Sequence, residues 1–403
     1  MRKVTFITTG QPTTNPRLVK EVEALIQEGY DVKVICCFYQ SWAQKFDGKL
    51  KAKYPGIFIY CGGNPASNKI SYLKTRVRQK MATRLFRLIK IFGIPENAIG
   101  RAHHEMLVRA KRIKSDLYIA HNLGALPAAV LAAKYHHAKV GYDAEDIHSG
   151  QHSSQSQEYA INKYAEEKYF PGTNYFTAAG SAIAHYYKTL YPYLNPVVVD
   201  NVFKKNHAIS IRPHINPLKL FWFSQTIGES RGLEDVITAL SGFKPGEIEL
   251  HLLGNLPDGQ FKDQLLKLND NASMKIIIHA PITPDDIPVF ASAFDVGLAL
   301  EPGFNINNER ALSNKLFTYL SAGLAIIATD TIAQKDFMTN YSGIGQLYPR
   351  ADIDFLRKIL GTYLRDRKLV ETTRITSLSL ANDKLNWEVE RIKFLNVVES
   401  ALS

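Results

Sequence analysis

Apolar positions recur along this chain with two alternating periods. "KVTFITT" at the start reads as a strand, and "NPRLVKEVEALIQ" after it as a helix. Leu18, Val22, Leu25 and Ile26 fall on one face of that helix, with Asn15 suited to the N-cap and Pro16 to the first helical position. Gly29 ends the helix, and "DVKVICCF" is the next strand. "DLYIAHN", "LGALPAAVLAAKYH" and "AKVGYDAED" repeat the order strand, helix, strand.

The rhythm restarts after residue 217. "LKLFWFS", "IELHLLG", "MKIIIHA" and "DVGLALE" read as strands, with "RGLEDVITAL", "GQFKDQLLKL" and "PDDIPVFASA" as the helices between them. "NNERALSNKLFTYLSAG" then puts Leu312, Leu316, Phe317 and Leu320 on a buried helical face, stops at a glycine and runs into the apolar strand "GLAIIATD". Strands alternating with helices predict parallel sheets covered on both faces. The segment "DNVFKKNHAISIRPHINP" has neither period and carries two prolines, as a linker does. The expected fold class is therefore α/β, with two Rossmann-like doubly wound domains, 1–200 and 217–385, joined by a hinge at 201–216. Ligands of such folds bind at the carboxyl ends of the strands, here in a central cleft that the two domains face.

Composition narrows the picture. The 403 residues are 45% hydrophobic, enough for two cores, and no low-complexity tract interrupts them. Cys36, Cys37 and Cys61 have no zinc-site or disulfide spacing. The N-terminal apolar run is too short for a signal peptide, and nothing approaches the roughly 18 apolar residues of a membrane span. A cytoplasmic protein, peripheral at the inner face of the plasma membrane, is expected.

The net charge of +11 is concentrated in "KISYLKTRVRQKMATRLFRLIK", residues 69–90, which holds eight basic residues and no acidic one, interleaved with apolar positions. This is the pattern of a cationic amphipathic helix that lies on an anionic membrane; the competing reading turns its apolar stripe onto its own domain. No nucleic-acid motif accompanies the charge, so nucleic acid is not an expected partner. Nor is there a G-x-G-x-x-G, a G-x-x-x-x-G-K-[ST] or an H-E-x-x-H. No paired-aspartate clasp stands out, "DAED" at 143–146 coming closest, so no metal is expected.

In their order, "TTGQPTTNPRLVKEVEALIQEGYDVKVI", "DLYIAHNLGALPAA", "GYDAEDIHS", "FSQTIGESRGLEDVITAL", "HLLG", "ASAFDVGLALEP" and "SNKLFTYLSAGLAIIATD" resemble the retaining GT-B glycosyltransferases of family 4 along almost the whole chain. "NWEVERIKFLNVVESAL" is similar to the family's last helix, so the resemblance implies that 386–403 return to the first domain, with Trp387 as a packing anchor. It also implies a nucleotide-diphosphate sugar as donor substrate on the second domain, a glycan or polyprenol-linked acceptor on the first, and no further cofactor. Transfer would retain anomeric configuration, in bacterial surface polysaccharide or lipopolysaccharide synthesis.

For the donor diphosphate, the resemblance assigns charge compensation to Arg231 and Lys315. Both open helices, where free N–H groups favour an anion, and Ser313 and Asn314 adjoin the second. Gly10 is expected to allow close approach of strand and helix, and Arg17 to face the donor. Two positions depart from the family pattern: Thr226 stands where an Arg is common, and Thr318 where a ribose-binding Glu is common. Glu301 and Glu309 have the family's E-x7-E spacing, although "FTYLSAG" aligns better with the usual second Glu. His121, at the end of a strand with Asn122 beside it, is expected near the transferred sugar with a neutral ring. Glu145 and Asp146 are candidates to orient the acceptor hydroxyl or act as a base, and His148 is a weaker one. The alternatives are an epimerase or hydrolase of the same fold and a non-catalytic nucleotide-sugar-binding accessory protein, the last favoured by Thr226 and Thr318.

Overall fold

The computed structural model describes residues 1–206, 208–211, 213, 216–270 and 274–403, with only the backbone of 268–270. Residues 207, 212, 214 and 215 of the expected hinge lie outside the described residues. The chain divides into two compact units, Met1–Asp200 with Arg391–Ser403, and Asn201–Glu390.

The first unit holds a seven-stranded sheet of β1 (Lys3–Thr8), β2 (Asp31–Cys37), β3 (Phe58–Cys61), β4 (Leu117–His121), β5 (Lys139–Ala144), β6 (Tyr175–Ala178) and β7 (Pro196–Val198), in the order β3-β2-β1-β4-β5-β6-β7. All its pairings are parallel. The second holds β8 (Leu218–Thr226), β9 (Ile248–Asn255), β10 (Lys275–His279), β11 (Val296–Ala299), β12 (Ala325–Thr329) and β13 (Gly345–Tyr348), in the order β10-β9-β8-β11-β12-β13, also parallel.

In each sheet the chain runs outward from its first strand, then returns to the other side of it. That reversal falls between β1 and β4 in one unit and between β8 and β11 in the other, and such switch points are where open α/β sheets leave a crevice beyond the strand ends.

The period-two pattern explains why both faces are covered. In the second unit Leu220, Trp222, Val296, Leu298 and Ile327 pack on one side with the Leu233–Leu240 helix. Phe221, Ala299, Ile326 and Ala328 pack on the other with the Asn314–Ala322 helix. Helix boundaries follow local chemistry. Asn15 caps Pro16–Gln27 by accepting from the Leu18 N–H at 3.0 Å. Gly323, at φ +66°, ends Asn314–Ala322 in the left-handed conformation that glycine adopts without strain.

Candidate functional site

Each switch point gathers polar side chains. In the first unit residues at the ends of neighbouring strands are in register, Thr8 beside His121 and His121 beside Asp143, the last but one of β5. The helix after β1 brings Arg17 and, one turn on, Glu21 to the same place. Arg17 donates from Nε and Nη2 to the two Asp143 oxygens at 2.6 and 2.7 Å, and also to the Val199 carbonyl. Thr177 donates to Asp143 at 2.5 Å. His121 Nε2 lies 2.9 Å from Glu21 and Nδ1 3.1 Å from Glu145, whose carboxylate also accepts from Asn15.

The side chains of Arg17, Glu21, His121 and Asp143 are at most 1% exposed, whereas Glu145 is 27% exposed. Burial alone would lower the His121 pKa, but the carboxylates of Glu21, Glu145 and Asp143 outweigh it and push it up to about 10. The ring is thus an imidazolium with both N–H groups donating to carboxylates, not the neutral ring expected from its sequence position. Burial pushes the Asp143 carboxyl up, but the charges of Arg17 and His121 outweigh it and hold it low.

Arg17 differs from its expected role in the same way. Its guanidinium does not reach outward to a donor but is spent inside the unit, because a mid-sheet aspartate needs a bidentate cation. Glu21, His121 and Asp143 each offer one ligand atom, all within 4.8 Å of one another, and so could hold a metal ion geometrically. Arg17 already supplies positive charge to both carboxylates of that trio, with its Nε 2.6 Å from Asp143 and 3.6 Å from Glu21.

Asn122, at φ +67°, donates to the Thr8 hydroxyl at 3.2 Å and accepts from Thr9 at 2.9 Å, so it braces the β1 and β4 ends against each other. Gly10 is less constrained than expected: an added Cβ would meet the Thr14 hydroxyl at 3.2 Å and the Thr8 hydroxyl at 3.9 Å, and, among the described residues, no backbone atom beyond its chain neighbours within 4 Å. The tight approach is at Gly124, where a Cβ would lie 2.9 Å from the Thr9 methyl. Asp146 is half-buried, and burial keeps the His148 imidazole below its usual pKa.

The second unit's cluster is built around Glu301, just beyond β11. Its Oε1 accepts from Lys315 Nζ at 2.9 Å and Ser313 Oγ at 2.8 Å, and its Oε2 from Asn308 Nδ2 at 3.2 Å. Burial raises the Glu301 pKa, but Lys315 and these hydrogen bonds outweigh it, so the carboxyl stays ionised. Lys315 Nζ also lies 5.8 Å from the Trp222 ring centroid. Ser313 is the N-cap residue of Asn314–Ala322 but makes no capping hydrogen bond, because its hydroxyl is turned to Glu301. The first N–H groups of that helix therefore lack a side-chain cap.

Arg231 belongs to the same neighbourhood. A Cβ on Gly232, at φ +77°, would lie 2.6 Å from that of Leu300, so the Arg231–Gly232 turn is pressed against the strand end that carries Glu301. Arg231 itself is exposed and donates to Ser224 Oγ at 3.0 Å. Gly232 caps the Leu233–Leu240 helix without a side chain, a second open helix start.

The other expected donor residues are less well aligned with a ligand. Asn314 accepts from Asn201 at 3.0 Å. Thr226 is the last residue of β8, half-buried and beyond an irregularity in its pairing with β9. Thr318 is buried, with its hydroxyl donated to the Asn314 carbonyl at 3.1 Å. Glu309 is paired with Arg350 and also accepts from the Ile332 N–H at 3.2 Å. The E-x7-E spacing thus puts one carboxylate just past a strand end and the other in the short Ile306–Arg310 helix, each with its own cation.

Sequence reasoning passed over Glu21, Ser224, Asn308 and Arg350, and met Asp143 only as part of "DAED", without a partner. Two of these left a signal: Glu21 is four residues after Arg17, and Asp143 is an acid inside an apolar strand, a position that demands a buried partner.

No family model matches the chain, and no curated protein matches it. Solved structures do match over nearly full length. Anabaena Alr3699/HepE, in complex with UDP and glucose, superposes with a TM-score of 0.67 at 13% identity, covering 99% of this chain and 100% of that one. Sucrose-phosphate synthase from Thermosynechococcus elongatus gives 0.68 at 12% identity, with 99% of each chain covered. The lipopolysaccharide outer core galactosyltransferase WaaB gives 0.61 at 14% identity, again with 99% of each covered. The architecture is therefore GT-B, two Rossmann-like α/β domains built on parallel sheets, and its structural neighbours include the galactosyltransferase WaaB and a glycosyltransferase from Rickettsia africae.

Proposed function

We propose that this chain is a retaining, metal-independent glycosyltransferase that moves a sugar from a nucleoside diphosphate to a glycan or lipid-linked acceptor in surface polysaccharide synthesis. The observation that carries the reading is the uncapped start of the Asn314–Ala322 helix, with Lys315 poised on Glu301 beside the β8/β11 switch point. A diphosphate there meets open N–H groups and a lysine already oriented by a carboxylate. The neighbour HepE in complex with UDP and with UDP-glucose supports a nucleotide-sugar donor, and WaaB supports a lipopolysaccharide-type acceptor.

In the reaction, the bond from the anomeric carbon to the diphosphate oxygen breaks, and the acceptor oxygen bonds to that carbon on the same face. The acceptor proton passes to the departing phosphate oxygen. Lys315, Arg231 and the helix-start N–H groups stabilise the charge that grows on the leaving group. On the acceptor side Glu145, the exposed member of its cluster, takes a hydrogen bond from the acceptor hydroxyl while His121 and Asn15 hold it in place.

The first experiment is a thermal-shift panel of UDP-, GDP-, ADP-, CMP- and dTDP-linked sugars, since ligand at 100 times its dissociation constant stabilises by about 2.7 kcal/mol. The donor that shifts the midpoint is then tested for transfer to a lipid extract, with product configuration read by NMR. A folded sample that responds to none of the donors would sink the reading. The accessory-protein alternative draws on Thr318, whose hydroxyl is already spent on its own helix; donor binding without turnover would favour it.

A further inference from the structure

The Lys69–Phe86 helix of the first unit presents two very different sides. Thr75, Ala82 and Phe86 are buried and fix the helix on its own unit, Ala82 and Phe86 beside Ala98 and Ile161. The apolar residues Ile70, Leu73, Val77, Met81 and Leu88 follow a helical spacing on the opposite side, and all are exposed, from 48% at Leu73 to 85% at Ile70. Ile91 and Phe92, just past the helix, are also exposed, at 63% and 62%, with the Lys168 ammonium 5.9 Å from the Phe92 ring. The stripe therefore does not face its own domain; the exposed Arg84 falls within it between Met81 and Leu88, and an exposed apolar stripe rimmed by charge marks an interaction site.

Charge is arranged around that crest. At a helical repeat, Lys69, Arg76, Lys80 and Arg87 lie along one flank, and Lys74 and Arg78 along the other. Beyond Lys74 a shallow pocket of about 290 Å³ is lined by Lys74, His104, Glu105, Val108, Arg109 and Arg112. Its one acid, Glu105, is already paired with Arg78.

We infer that this face docks on an anionic phospholipid bilayer, with the apolar crest at the acyl boundary and lipid phosphates on the flanking cations and in the Lys74/Arg109/Arg112 pocket. The inference rests on the transferase reading in one respect, that a lipid-held acceptor requires the enzyme at the membrane. Charge decides the occupant. A second copy meeting this face by two-fold symmetry would set the flanking cations against the same cations of its partner, and a nucleic acid would leave the apolar crest against phosphates. An anionic bilayer satisfies crest and flanks together.

The test is flotation of the full chain with phosphatidylcholine vesicles, with and without phosphatidylglycerol. Binding is expected only with the anionic lipid and should weaken with salt. Leu73→Ser/Val77→Ser/Met81→Ser should lower it at least about tenfold, and Lys74→Ala/Arg109→Ala/Arg112→Ala several-fold. All six side chains lie on the surface, and circular dichroism with the thermal midpoint checks that both variants fold. Equal binding to both vesicle types, or unchanged binding by the serine variant, overturns the proposal. So does a dimer in sedimentation velocity that the serine variant dissociates. Nucleotide-sugar binding measured on the same samples separates the two readings: donor binding without vesicle binding sinks the docking surface alone, and the converse sinks the transferase reading alone.

Discussion

The two switch-point clusters arise from the same topology and have opposite physical character. In the first unit Arg17, Glu21, His121 and Asp143 are sealed, at most 1% exposed. In the second, Glu301 and Lys315 keep 15% and 20% of their side-chain surface. A sealed network spends its charge on its own partners and so fixes geometry, here the orientation of Glu145 at the rim. A half-open pair beside an uncapped helix start retains charge that a ligand can recruit. Identical fold position thus does not imply an identical role, and substitutions on either side should separate stability from binding.

The largest effect is expected in the sealed cluster. Arg17→Ala leaves Asp143 buried without its fork, and removal of one partner from such a pair costs about 3–5 kcal/mol. Urea denaturation should report it as a lower midpoint at unchanged slope. A loss below about 1 kcal/mol would mean that the network is open to solvent and the comparison fails.

Next in size is a pH dependence. The folded His121 pKa, about 10, is above the roughly 6.5 of an unfolded histidine. A raised folded pKa adds stability that is complete below the unfolded value and is lost as pH rises through the folded one. The stability gap between the native chain and His121→Asn should therefore be widest, on the order of 3 kcal/mol, below pH of about 6.5, and should close toward pH of about 10. A gap that widens with pH would show that the ring is neutral after all.

The half-open cluster should respond in binding instead. Lys315→Ala is expected to change stability by less than about 1 kcal/mol, as for a partly exposed pair, but to weaken nucleoside diphosphate binding about ten- to a hundredfold. Calorimetry with the diphosphate and with the bare nucleoside decides it. Equal losses for both ligands would remove Lys315 from the phosphate.

The sequence carried the architecture because both periods are local: a strand such as "LKLFWFS" alternates its two cores residue by residue, and Asn15 and Gly323 mark helix ends by their own chemistry. The helix start at Ser313 and Lys315 was legible for the same reason, whereas its meeting with Glu301 was not read from the sequence, where Glu301 stood only in the E-x7-E spacing. What was not legible depends on partners distant in sequence. Arg17 and Asp143 are 126 residues apart, and only their meeting turns a candidate donor ligand into a buried ion pair. His121 reads as neutral until three carboxylates surround it. The exposed side of the Lys69–Phe86 helix was equally undecided, because the apolar stripe and the buried Thr75, Ala82 and Phe86 compete for the domain on pattern alone.

The smallest expected effect sharpens the comparison most. Thr226 ends β8, near the turn that bears Arg231 and half-open to solvent, where a neutral hydroxyl stands in place of a cation. If the second cluster recruits a diphosphate, Thr226→Arg adds a charge that solvent and salt largely screen, worth about 0.5–1 kcal/mol and a two- to fivefold gain in affinity. The gain should shrink as ionic strength rises, which a mere packing change would not do. Unaltered affinity at low salt would show that β8 does not present its end to the ligand, and would leave Lys315 and the open helix start to hold the diphosphate with Arg231 alone.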